Sequence, residues 1–349
     1  MNRPETAAEV SAAWLGEVLD GVVPRPSGIV LGPVGPTAHA RRIRLEYGDA
    51  VHGHGNGHGP ARSMVLRFPS PIEGVRRFKE GLDLPRIEVE AYRVAVGTDV
   101  FRLPRLYTAV PWDAKETSFI LLLEDVGTGE GLDVSRLPEA VRALASFHAR
   151  WLGRIPPEWD WLPYENDARR VGLLASMFEA TGIAAIEQAE WLPRELRRDA
   201  RALGAAIPFV YSELARGPVT LVHGDLHAAN LIPEDGGFAS VDWEAAARAR
   251  GVVDLAFLLM SALPSPADPA AERELLRQYA EAMTAAGAAD GARTLMTDYR
   301  LALLACFVRR VALRSAYAAV PDDPGLRNVA GAIIRHRALD ALPAARGLR

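Results

Sequence analysis

The chain of 349 residues contains a single cysteine, Cys306, which excludes an internal disulfide and a cysteine-built zinc site. Lysine is nearly as scarce: Lys79 and Lys115 are the only two among 40 basic residues, so almost all positive charge is guanidinium. Charge imbalance is also missing. The formal net charge is −4 and the pI about 6.1, which gives no electrostatic footprint for nucleic acid or an anionic membrane. The longest apolar runs, AFLLMSAL near 256–263 and LALLACF near 301–307, fall well short of the roughly 18 residues a membrane span needs. The first twelve residues are polar and acidic, without the apolar centre of a secretory leader. These absences predict a cytoplasmic chain whose partners are neither nucleic acid nor membrane, and leave oligomeric state open.

What is present is enough apolar sequence, 49% of residues, to build a sizeable core, over a length that suggests about two domains. Helical spacing over 6–21 is followed by short β-rich stretches at 28–34, 41–48 and 62–68. A helix is expected over 84–96, then strands near 104–110 and over 118–126. After GTGEG (127–131) helical patterns dominate: 135–153, 193–215, 252–262, 268–286, 291–318 and about 325–341. One β-like island interrupts them at 218–244, with DGG at 235–237 as a hairpin turn signal. The expected design is α+β with two lobes, a β-rich one over 1–126 and a helical one over 127–349. Between them come a hinge near 124–131 and a ligand cleft.

The island carries the chemistry. LVHGDLHAANLI (221–232) allows two readings. In an extended strand His223, Asp225 and His227 would share one face and could bind zinc, although no fourth ligand or second-shell partner is visible nearby. Alternatively, H-x-D-x-x-x-x-N from His223 to Asn230, with Asp242 twelve residues on across a hairpin, has the spacing of kinase-type phosphoryl transfer. There the aspartate takes the proton of the attacking hydroxyl, while the asparagine and second aspartate hold Mg²⁺ on the nucleotide phosphates. Three such residues in a strand–loop–strand context favour this second reading.

HGDLHAAN, VDWE and RGVVDLAFLL together resemble the aminoglycoside phosphotransferase and choline kinase superfamily. FILLLEDV and LASFHARWL resemble its ecdysteroid-kinase-like and bacterial small-molecule branch. The resemblance implies a two-lobe protein-kinase-like fold and transfer of the ATP γ-phosphoryl group, with Mg²⁺, to a small-molecule hydroxyl. It implies Asp225 as catalytic base, Asn230 and Asp242 as metal ligands, and His223 as organiser of the loop. Asp254 would bond backbone amides of that loop, and Leu123, Glu124 and Val126 would offer backbone groups to adenine.

One departure stands out. Arg67, in MVLRF, occupies the place where the resemblance implies a phosphate-binding lysine, with Glu88 as its partner and Glu90 second. Either Arg67 takes the role, or Lys79 in RRFKE reaches in, or the chain is a pseudokinase-like nucleotide-binding protein. The phosphate-covering stretch 31–40 is also unusual, since Pro33 and Pro36 remove donors beside Gly32 and Gly35. The histidine–glycine stretch 52–59 reads as a hairpin tip rather than a metal site. His148, Trp151 and Cys306 read as core, and His227 as a brace of the loop. Glu244 reads as facing either substrate or solvent. Arg309, Arg310 and Arg314 fall at helical spacing, as surface ion pairs or contacts to an anionic acceptor. The acceptor itself is not written in the helices about 155–215 and 260–345 expected to enclose it.

Overall fold

The computed structural model describes residues 4–34, 40–47, 62–127, 132–289, 294–315 and 322–343. Two compact units emerge, Met1–Val96 with Leu103–Thr128, and Gly97–Arg102 with Gly129–Arg349. The architecture is α+β, an N-terminal antiparallel sheet followed by a mainly helical remainder.

The first unit is built on α1 (Ala12–Val18), β1 (Gly28–Val34), β2 (Ala40–Glu46), β3 (Ser63–Arg67), α2 (Glu73–Gly81) and α3 (Leu84–Arg93). Beyond β4 (Phe101–Arg102), which belongs to the other unit, come β5 (Leu106–Pro111) and β6 (Phe119–Glu124). Its sheet runs β1-β2-β3-β6-β5, antiparallel throughout. Alternation puts Ile43, Leu45, Met64, Leu66, Ile120 and Leu122 on one face, where they bury against Val10, Trp14, Leu15 and Leu19 from the first helical segment. The helix predicted over 6–21 is shorter because Ser11 caps it, its hydroxyl accepting from the Trp14 amide at 3.2 Å. Helix α2 is unexpected: it is only 9 residues long and none of them is fully buried, so it carries little core signal to read. It carries Lys79 and is tied down by a 2.7 Å hydrogen bond from Ser118 Oγ to Glu80. Gly32 lies in β1, while Gly35, Pro36 and the stretch 52–59 lie outside the described residues.

The second unit is helical around two small sheets. After α4 (Leu137–Trp151) come α5 (Ala168–Met177), α6 (Ile183–Gln188), α7 (Arg194–Arg198), α8 (Ala200–Ala205) and α9 (Ile207–Leu214). The single helix predicted over 193–215 is therefore three, and Pro208 in the first turn of α9 accounts for the last break. Strands β7 (Thr220–Val222), β8 (Leu231–Glu234), β9 (Gly237–Ser240) and β10 (Ala247–Ala249) precede α10 (Val252–Ala262) and α11 (Pro269–Ala285). Last come α12 (Leu295–Ser315) and α13 (Pro324–Arg335). The expected hairpin is β8–β9, turning on Asp235 and Gly236, whose φ of +83° needs glycine. The rest of the island separates from it: β7 pairs with β10, and β4 adds to β9 in parallel. That last pairing explains why 97–102 group with the helical unit. Helix α10 is buried along nearly its whole length and packs against α4, α12 and α13. Among the described residues no helix is long and apolar enough to cross a membrane.

A buried polar cluster locks the end of this unit. Glu272 on α11 is 1% exposed and accepts from Tyr299 Oη at 2.8 Å, His336 Nε2 at 3.0 Å and Arg335. Burial opposes its charge, but these three donors outweigh it and hold the carboxyl down to about 2. An acid depressed in the folded state stabilises it above the unfolded value and loses that contribution as pH falls toward the folded value. We therefore expect Glu272→Gln to cost about 2–3 kcal/mol at pH 7, read from urea midpoints. The gap between variant and wild type should close as pH drops from 5 toward 2; a gap independent of pH would reject the cluster as its source.

Candidate active site

Strand β7 is buried and apolar, and delivers the chain into the loop 223–230. The loop is fixed at its first step by Asp254, fully buried in the first turn of α10. Its carboxylate accepts from the His223 amide at 2.7 Å, the Gly224 amide at 2.8 Å and His148 Nε2 at 3.2 Å. A buried carboxylate is costly unless its lone pairs are filled, and three donors fill them. Because Nε2 of His148 donates there, a neutral ring leaves Nδ1 to accept from Tyr279 Oη at 2.8 Å. Burial pushes the Tyr279 phenol up, so it keeps the proton it donates. Gly251 leaves room for this pair, since a side chain there would run into both His148 and Tyr279.

His223 lies against Trp243, donates from Nε2 to Val241 O at 2.8 Å and accepts at Nδ1 from the Asp225 amide at 3.3 Å. Both ring nitrogens are committed to protein partners, which removes it as a zinc ligand. Among the described residues no cluster of three or more His, Cys, Asp or Glu is arranged to hold a metal. The zinc-site alternative for His223, Asp225 and His227, already the less favoured reading, gains no support from this geometry. Gly224 has φ +83°, and a Cβ there would collide with Ala245 O, so only glycine passes this point.

The Asp225 side chain is half-buried, and its main chain is locked: its carbonyl accepts from the His227 amide at 2.8 Å and from Asn230 Nδ2 at 3.0 Å. Burial depresses the His227 imidazole, with Asp225 and Asp242 pulling the other way, so these acids lie close enough to be felt at one ring. Ser261 of α10 accepts the Ala228 amide at 2.9 Å and anchors the far side of the loop. Asn230 is itself buried and opens β8, where its carbonyl accepts from Val241 N at 3.0 Å. That hydrogen bond brings Asp242, at the end of β9, beside Asn230. Asp242 takes a left-handed conformation, φ +69°, uncommon for a residue with a side chain and found at functional turns. Trp243, fully buried against Phe101, Phe147 and His223, holds it there. With Nδ2 of Asn230 turned to Asp225 O, its Oδ1 and the Asp242 carboxylate are left as oxygen donors, the type that could hold a hard divalent cation.

In the first unit Arg67 Nη1 pairs with Glu88 Oε1, the side chains 17% and 4% exposed. Leu123 is buried in β6, and the Glu124 amide donates to Arg105 O at 2.8 Å. Sequence reasoning missed how the following segment is held. Asp125 accepts from Arg42 Nη2 at 2.8 Å and from the Gly127 amide at 3.1 Å, and its other oxygen forms an ion pair 2.6 Å from Arg42 Nε. Burial opposes that charge, but Arg42, Ser63 and Gly127 outweigh it and lower the carboxyl below its usual range. Val126 lies between, and 128–131 are outside the described residues.

Cys306 is core as expected, its thiol pushed up by burial to about 12. Trp151 is only partly buried, its ring tilted against that of Trp159 at 5.1 Å between centroids. Of the three arginines on α12, Arg310 pairs with Asp323 at 3.2 Å and the Arg314 side chain lies outside the description. Arg309 is no surface pair. It bonds Gly224 O and the buried Glu165, and a guanidinium pair inside LACFVRRVAL was the available signal of buried partners.

A family model described as a phosphotransferase enzyme family matches residues 56–290. The chain belongs to that family. Solved structures with the same kinase-like fold include choline kinase from Cryptosporidium parvum Iowa II, with TM-score 0.61 and 11% identity over 97% of this chain and 98% of that one. An aminoglycoside phosphotransferase in complex with GDP and kanamycin gives TM-score 0.53 and 16% identity, covering 94% and 98%. Macrolide 2'-phosphotransferase from Brachybacterium faecium gives 0.51 and 18%, covering 95% and 98%. No curated protein matches the chain in a sequence search. Likeness at these identities establishes the fold, a phosphotransferase scaffold shared by enzymes with different acceptors.

Proposed function

We propose that this phosphotransferase moves the γ-phosphoryl group of ATP to a hydroxyl of a small molecule. The observation that carries the proposal is the single hydrogen-bonded frame joining Asp225, Asn230 and Asp242: Asn230 donates to the Asp225 carbonyl and accepts from the residue before Asp242. Asp225 takes the acceptor hydroxyl proton as the oxygen–phosphorus bond forms, the bond to the β-phosphate oxygen breaks, and ADP leaves. Asn230 and Asp242 hold Mg²⁺, whose chemistry here is to neutralise phosphate charge. Arg67, oriented by Glu88, grips phosphate oxygens, and the backbone at 123–126 meets the base. A neighbour of this fold with GDP and kanamycin bound supports both a nucleotide and a small hydroxylated acceptor.

A second reading, a nucleotide-binding protein without transfer, is favoured by Arg67 standing in a lysine's place. The test is a panel of amino-alcohol, sugar, nucleoside and antibiotic acceptors, scored by ATP consumption and confirmed by a mass gain of one phosphoryl group. One phosphorylated acceptor is the expected result. Mg²⁺-dependent nucleotide binding with no acceptor consumed would select the second reading, and no nucleotide binding would reject both.

A further inference from the structure

Arg309 sits beside Arg310 in the mostly apolar stretch LACFVRRVAL of α12, 17% exposed at its side chain, facing the ring of Phe257 at 5.3 Å. A cation in such a place survives only with strong partners. Two of its partners belong to different parts of the unit. One guanidinium nitrogen donates to Glu165 Oε1 at 2.6 Å; the other donates to the carbonyl of Gly224, the residue before Asp225. Burial opposes the Arg309 charge, but Glu165, Tyr211 and Asp225 outweigh it and hold the guanidinium above its usual range.

The peptide between Gly224 and Asp225 is therefore fixed at both edges. Its carbonyl is held by Arg309, and its N–H, belonging to Asp225, by His223 Nδ1 at 3.3 Å. A peptide unit is planar, so gripping both edges fixes where the Asp225 Cα begins. Glu165, 2% exposed, is anchored in turn: its amide donates to Arg248 O in β10 at 3.0 Å, and β10 pairs with β7, the strand leading into the loop. Arg170, whose charge Glu165 also feels, reaches Ala246 O at 3.4 Å, four residues after Asp242. Both limbs of the site thus converge on one buried carboxylate.

We infer that Arg309, with Glu165 as its buried counter-ion, is a positioning residue that sets the Asp225 carboxylate by holding the Gly224 carbonyl. The inference rests on the phosphotransfer reading for its kinetic consequence, and on geometry alone for its structural one. Lysine keeps the charge beside Glu165 but loses the planar fork that reaches two acceptors. Expected results are a kcat lowered about tenfold in Arg309→Lys and about a hundredfold in Arg309→Met, with KM for ATP within about twofold in both. Active-site titration with nucleotide corrects for any unfolded fraction, which would lower kcat without regard to the donor. Arg309→Lys carries the test if the methionine variant does not fold. Hydrogen exchange of the amides in 221–231 supplies a readout independent of turnover. It should speed up in Arg309→Lys while 119–124 does not change. Wild-type kcat together with unchanged exchange over 221–231 would overturn the inference. A wild-type protein that transfers no phosphoryl group would refute the functional reading instead, and the exchange data would still judge Arg309.

Discussion

Asp225→Asn should bind nucleotide as wild type does and turn over about 10² to 10⁴ times more slowly, the range associated with loss of a general base. The structure makes this substitution unusually clean. The hydrogen bonds that fix the loop at this position run through the main chain: the Asp225 amide to His223, and its carbonyl to the His227 amide and Asn230 Nδ2. None depends on the carboxylate, so an isosteric amide keeps these hydrogen bonds and removes the proton acceptor together with its negative charge. The predicted signature is therefore a fall in kcat with little change in KM for ATP, since the base acts on the acceptor in the transition state. Calorimetric titration with a non-hydrolysable nucleotide and steady-state kinetics with the identified acceptor check both halves. Turnover at the wild-type rate would remove Asp225 from the mechanism.

The loop could be read from the sequence because its chemistry is local. His223, Asp225, Asn230 and Asp242 lie within twenty residues, and one short hairpin brings them together. What spacing could not show were partners supplied from far along the chain. The carboxylate of Asp254, thirty-one residues from the His223 amide it accepts, is implied by the family resemblance and not by spacing, and His148, which reaches it across 106, is not foreseen at all. Arg309 meets Gly224 across 85 residues and Glu165 across 144. The charged pair at 309–310 looked like surface chemistry because helical period reports which residues share a face, not what that face meets. The same limit explains the missed elements. No residue of helix α2 is fully buried, and β4 is two residues long and pairs with a strand more than a hundred residues later. The facing of β2 and β3 in the first unit, by contrast, follows from their alternation, where a shift of one residue would move Ile43 and Leu66 off the buried face.

Arg67→Ala should lower kcat/KM for ATP by about 10- to 100-fold, the loss of one charge-assisted contact of about 1.5–3 kcal/mol. Arg67 lies at the end of β3, on the opposite side of the strand from Met64 and Leu66, and reaches Glu88 on α3. Glu88 is almost wholly buried, so its charge orients the guanidinium rather than competing for solvent. A fork of this kind can hold two phosphate oxygens at once, where lysine offers a point charge. Because the contact exists in the bound substrate and in the transition state alike, the loss should fall on KM for ATP, with kcat changed little. Arg67→Lys should keep much of the activity, since charge and partner persist. Glu88→Ala should be milder than Arg67→Ala and in the same direction, because it only removes the orienting carboxylate. If Lys79 on α2 holds the phosphates instead, the ranking inverts, with Lys79→Ala severe and Arg67→Ala mild. Measuring the four variants side by side, with thermal midpoints to separate stability from binding, decides between the two cations. A mild Arg67→Ala beside a severe Lys79→Ala would transfer the phosphate role to Lys79.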